Sequence, residues 1–119
     1  GIIWGDNLLN TKELLEIDMI TLDHFVSQNN IEKIDLLKLD VQGAEFLVLQ
    51  GAKETLKAGR INVIYTEIIN LPTYKNQKPL GENIQLFLDY GFELFGLYNY
   101  DRSQNGQIRQ MDAIFTRTV

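Results

Sequence analysis

Two acidic side chains close two apolar runs. Asp40 ends Ile34–Asp40, and Glu67 stands near the end of Ile61–Ile68. If these runs are neighbouring parallel strands, about 4.8 Å apart, both carboxylates lie at the carboxyl edge of a sheet, where open α/β folds bind ligands. Such a pair can hold a hydroxyl, a cation or an ammonium group, or accept a proton. The structural alternative is that Asp40 caps the following helix and Glu67 points into solvent. Lys38, two residues before Asp40, shares its strand face, and an ammonium in an apolar strand needs an acid or a ligand cleft. Glu45 falls in the first turn of the next helix, where the helix dipole favours it, with a cleft role as the alternative. Gly43 suits a sharp strand-to-helix turn or a close ligand approach. Tyr74 and Lys75 lie in a loop holding both prolines, Pro72 and Pro79, and are candidates for substrate contact. His24 is the only histidine and reads as an exposed helical residue, so a serine-type triad lacks its base. Metal sites built from His and Cys are excluded, while carboxylate binding of Mg²⁺ or Ca²⁺ stays open.

The elements that must position these groups follow from periodicity. Leu15–Ile20 alternates apolar and polar residues, as a peripheral strand does. Thr21 is a suitable N-cap for a short helix carrying Leu22, Phe25 and Val26. Ile34–Asp40 is apolar enough to be a central strand covered on both faces. Ala44, Leu47, Val48, Gly51, Ala52 and Leu56 share one helical face, and Gly59 supplies the stop. With Ile61–Ile68 as the next strand, residues 34–68 form a βαβ unit. Residues 70–82 read as a long loop, and Glu82–Tyr90 as a helix. Phe92–Asn99 and Gln110–Arg117 read as strands of a hairpin turned near Asn105-Gly106. The order describes an α/β doubly wound sheet ending in an antiparallel hairpin.

The chain has 119 residues, 45% of them hydrophobic, no cysteine and a net charge of −5. One domain with an ordinary core fits that length. A pI near 4.8 without a basic cluster argues against nucleic acid as partner. No apolar run reaches the roughly 18 residues of a membrane span, and a cytoplasmic location is the default expectation.

Lys38-Leu39-Asp40-Val41-Gln42-Gly43-Ala44-Glu45 resembles the Lys-x-Asp-x-Glu-Gly-x-Glu signature of FkbM-type methyltransferases. Thr21-Leu22-Asp23, Leu49-Gln50-Gly51-Ala52, Tyr65-Thr66-Glu67 and Met111-Asp112-Ala113-Ile114-Phe115 agree with it, so the resemblance covers residues 15–117. Gln42 departs from it, since the family has Glu there. The resemblance implies a Rossmann-like sheet of the class I methyltransferase type, S-adenosylmethionine as methyl donor, and methyl transfer to oxygen on a sugar or secondary metabolite. On the matching positions it implies catalytic roles for Asp40, Glu67 and Lys38, cofactor contacts at Gln42 and Gly43 and an acceptor contact at Glu45; Tyr74 stays an acceptor-contact candidate from its loop position, and no residue is assigned as a metal ligand. The family's early strand with its Asp-x-Gly-x-x-x-Gly turn has no counterpart in this sequence. Together with the length and an opening Gly-Ile-Ile, that leads to the expectation of a C-terminal half whose cofactor-binding half is missing. Such a half would bind the donor weakly and self-associate into a homo-oligomer through the free sheet edge. The alternative from another class is a non-catalytic α/β binding or assembly module.

Overall fold

Why the polar groups of this chain gather on one side follows from how its strands share their faces. The computed structural model describes residues 21–40, 45–71 and 78–118. Within them the order is α1 (Leu22–Gln28), β1 (Ile34–Leu39), α2 (Glu45–Gln50), α3 (Lys53–Lys57), β2 (Ile61–Ile69), α4 (Leu80–Asp89), β3 (Phe92–Arg102) and β4 (Ile108–Arg117). The expected strand at residues 15–20 lies outside the described residues.

β1 and β2 pair in parallel, and β4 lies antiparallel between β2 and β3, giving the sheet order β1-β2-β4-β3. The parallel β1–β2 pair with its helical crossover and the terminal β3–β4 hairpin both match the sequence expectation. Alternation along β2 then sorts the sheet into two faces. Ile64, Thr66 and Ile68 point to one side, where their partners Phe115, Ala113 and Met111 on β4 are also buried. Side chains from all four helices meet that face: Leu22 and Val26 of α1, Val48 and Leu49 of α2, Leu56 of α3 and Phe87 of α4 belong to one core cluster with it. The rings of Phe87 and Phe115 stack at its centre, with centroids 4.3 Å apart and planes 15° from parallel.

Two expectations need correction. β1 is not a central strand covered on both faces: among the described residues it is the sheet edge, and Leu36 is 57% exposed. Its apolar composition misleads because Ile34, Leu37 and Leu39 pack against the core, while Leu36 and Lys38 are exposed. Correspondingly, the described helices lie on one face only, so the sheet is not doubly wound among the described residues. The second correction concerns the crossover, which is two helices, α2 and α3, broken at Gly51-Ala52, and not one.

That break is held by a contact from afar. Ala52 gives α3 no capping side chain. Asp23 of α1 takes its place: Oδ2 accepts from the Glu54 amide (2.9 Å), and Oδ1 accepts from the Thr55 amide (2.8 Å) and the Thr55 hydroxyl (2.6 Å). Thr21 caps α1 by accepting the His24 amide, as its position indicates. The stop at Gly59 also holds, with φ +69°. No helix of the described residues is long and apolar enough to cross a membrane.

Candidate functional site

The face turned away from the core carries the strand-borne acidic residues Asp40, Glu67 and Asp112. Register places Lys38, Tyr65 and Ile114 in one row across the sheet, ending at Gly96 of β3. One step further along, Glu67 of β2 pairs with Asp112 of β4, and Asp112 with Tyr98 of β3. Asp40 follows Leu39, the partner of Thr66, and so extends this row at the β1 end. Asp40, Glu67, Asp112 and Tyr98 thus line up across four strands, at the carboxyl ends of the two parallel ones. Like charges directly opposite in an antiparallel pair destabilise a sheet, which makes the Glu67–Asp112 pairing unfavourable unless a proton, a cation or hydrogen-bond donors relieve it.

The two acids are held differently. Asp112 is fixed: its Oδ2 accepts the Tyr65 phenol at 2.5 Å and the Asn99 amide at 2.8 Å. Asn99 achieves this from the left-handed region, φ +54°, where β3 is irregular between Tyr98 and Asp101. Donating to Asp112 raises the Tyr65 pKa above its ordinary value, with desolvation adding to the effect, and keeps the phenol protonated. Among the described residues the Glu67 carboxylate has only a long contact, 3.4 Å from the Gln110 amide. Its pKa is raised, first by burial, then by the charges of Asp40 and Asp112 and, last, of Glu45, against a lowering pull from Arg109. Arg109 is itself paired with Asp101.

Glu45 enters from the first turn of α2. It is 5% exposed, and its Oε2 finds no hydrogen-bond partner among the described residues. A buried carboxylate oxygen without a partner is costly, and a ligand donor is one way to satisfy it. Lys38 is exposed, with its ammonium 5.8 Å from the centroid of the Tyr65 ring. Structure therefore brings Asp40, Glu67 and Lys38 to one end of the face turned from the core, while Glu45 belongs to α2, which packs on the opposite face, and acts on Glu67 through its charge. Gln42, Gly43, Tyr74 and Lys75 lie outside the described residues. No group of three or more His, Cys, Asp or Glu among the described residues is arranged to hold a metal ion.

Asp112, Tyr65, Asn99 and Tyr98 escape a reading based on strand ends. The signal present was Asp112 itself, an acid inside the apolar run Met111–Phe115. A cavity of about 520 Å³ exists elsewhere, between α1, α3 and the starts of β1 and β2, lined by Asp23, Ser27, Glu54 and Arg60 among others. It is at the wrong end of the strands for this fold class, and its Asp23 and Arg60 are already engaged in hydrogen bonds.

Sequence comparison identifies the frame in which these groups sit. Residues 5–94 match the family model described as the methyltransferase FkbM domain. The 2-O-methyltransferase NoeI of Sinorhizobium fredii (strain NBRC 101917 / NGR234) is 42% identical over 72 residues, which is 60% of this chain and 29% of that protein. The chain thus spans less than a third of the length of this curated relative. No solved structure matches it. The matched segment contains Asp40, Glu45 and Glu67 and extends over most of the chain: it belongs to the FkbM methyltransferase domain family.

Proposed function

We propose that this chain forms the acceptor-side part of an S-adenosylmethionine-dependent O-methyltransferase with a Rossmann-like sheet. The observation that carries the reading is the row of Asp40, Glu67 and Asp112 at the carboxyl ends of β1 and β2, with Glu45 near enough for its charge to act on Glu67 and its Oε2 without a partner among the described residues. Transfer to oxygen is supported by the family and by the name of NoeI. The acceptor class taken here, a sugar or secondary-metabolite hydroxyl, rests on family resemblance.

Methyl transfer forms a bond from the acceptor oxygen to the methyl carbon, breaks the sulfur–methyl bond, and releases the hydroxyl proton. The donor, when bound, supplies an electrophilic methyl group. Within this chain, Glu67 is suited to take the proton, because its environment already favours the protonated carboxyl. Asp40, exposed at the β1 end, is suited to anchor the acceptor hydroxyl, and Glu45 to accept a hydrogen bond from a neighbouring hydroxyl. Fixing the acceptor between two strand ends is the kind of alignment an in-line displacement requires. The described residues fit the cationic end of the donor through these acids and contain no Gly-rich turn for its nucleoside. Gln42 and Gly43 stay in the proposal as cofactor contacts and Tyr74 as an acceptor contact, with most donor contacts coming from outside these 119 residues. A cytoplasmic setting is part of this reading, as is closure of the β1 edge by further sheet, including a second copy of the chain.

The test is methyl transfer by the full-length protein from labelled donor. Glu67→Gln and Asp40→Asn are each expected to lower kcat by about 10²- to 10⁴-fold. Wild-type turnover of Asp40→Asn at saturating substrates would remove Asp40 from the mechanism, and the same result for Glu67→Gln would remove the base.

A further inference from the structure

The acid row ends on an aromatic side chain in an unusual posture. Tyr98 pairs with Asp112 across β3 and β4, on the face that carries Glu67. Its ring does not stand off the sheet. A Cβ added at Gly96 would collide with the Tyr98 hydroxyl oxygen and come within 2.6 Å of Cζ and 2.9 Å of Cε2. Since only side chains two residues apart share a strand face, the ring of Tyr98 must lie back along β3, its far end over the bare α-carbon of Gly96. Any other residue at position 96 would lift the ring away. The side chain keeps 40% of its surface exposed, so it is not filling a core. Two strand spacings, about 10 Å, separate Tyr98 from Glu67 along the row, close to the span of one sugar ring with its hydroxyls.

An open aromatic surface beside carboxylates matches one kind of ligand. A pyranose ring offers hydroxyls at its rim, which carboxylates accept, and a patch of C–H bonds on its face, which an aromatic ring covers. A linear polyol offers the hydroxyls without the patch. We propose that Tyr98, laid along β3 by Gly96, is a specificity-determining residue that selects a cyclic sugar acceptor by stacking on its apolar face while the acid row holds its hydroxyls. This rests on the methyl-transfer reading and narrows its acceptor.

Full-length protein is tested with methyl glucopyranoside and with glucitol, measuring binding by calorimetry and methyl transfer by donor label. The wild type is expected to prefer the pyranoside, and Tyr98→Ala to shrink that preference about fivefold through the pyranoside KM, with kcat and donor KM unchanged. Tyr98→Phe is expected to retain the preference. Gly96→Ala, which keeps the ring but displaces it, should behave as Tyr98→Ala does. Absence of a ring preference in the wild type, or its survival in Tyr98→Ala, overturns the proposal. Ring-selective binding by the wild type that Tyr98→Ala loses, without methyl transfer to either probe, supports Tyr98 and counts against the methyltransferase reading instead.

Discussion

Glu67→Gln is expected to make the protein more stable at alkaline pH. Burial and the charges of Asp40, Asp112 and Glu45 all disfavour the ionised carboxylate, and Arg109 alone opposes them. A group whose pKa is raised on folding is most favourable to the folded state at acid pH, and that advantage is lost as pH rises through the folded-state value. Cross-strand partners have Cβ atoms about 5 Å apart, which sets the Glu67 and Asp112 charges at about 6 Å. At that distance Coulomb repulsion is about 0.7 kcal/mol in water and about 3 kcal/mol at an effective dielectric of 20. Glu67 is half-buried, so screening brings the gain from Gln to about 1 kcal/mol. With a urea m value of about 1.5 kcal/mol/M, the midpoint at pH 8 should rise by about 0.7 M. At pH 4, where the raised pKa leaves Glu67 largely protonated, the difference should shrink toward zero. Urea unfolding of both proteins at both pH values provides the comparison. A midpoint at pH 8 equal to or below the wild type, or the same gain at pH 4, would refute the electrostatic account.

The same charges bear on the proposed proton transfer. If Glu67 takes the acceptor proton, the acid limb of the kcat–pH profile should lie above the ordinary value of a Glu carboxyl, and Asp112→Asn should move it to lower pH by deleting one of the charges that raise Glu67. Asp23→Ala should cost about 2–3 kcal/mol by leaving the start of α3 uncapped, measured by urea unfolding, with acceptor KM unchanged because Asp23 lies at the other end of the sheet. Phe87→Ala should cost about 3–5 kcal/mol by opening a cavity against Phe115, both rings being within 1% of full burial. An unfolding midpoint close to the wild type for Phe87→Ala would show that the stacked pair is not a centre of the core.

Periodicity made the strands and most helix ends legible. The β-branched run Ile61–Ile68, the cap at Thr21, the stop at Gly59 and the turn at Gly106 are local signals, and local backbone chemistry answers them. Asp40 and Glu67 were readable as strand-end acids for the same reason. What stayed hidden was lateral order. Nothing in Met111–Phe115 says that β4 inserts beside β2, so Asp112 could not be matched with Glu67, nor Tyr65 with its acceptor. The reading of β1 failed on a related point: four apolar residues in a strand of six indicate burial only when both faces meet a layer, and the described layers cover one. The split of the crossover into α2 and α3 likewise depends on Asp23, which is remote in sequence from the helix it caps.

Because β4 lies between β2 and β3, the order of synthesis differs from the order of assembly. Tyr65 and its hydrogen-bond partner Asp112 are 47 residues apart, so β2 leaves the ribosome long before its second neighbour does. Until β4 arrives, the strand Ile61–Ile69 presents an open ladder with Ile64 and Ile68 uncovered on that side, the arrangement that recruits foreign strands and chaperones. The acid row closes only when that last strand docks. A nascent or prematurely terminated chain would therefore be able to build α1 to α4 while leaving β3 without its partner and the acid row incomplete, and that loss would register first as aggregation.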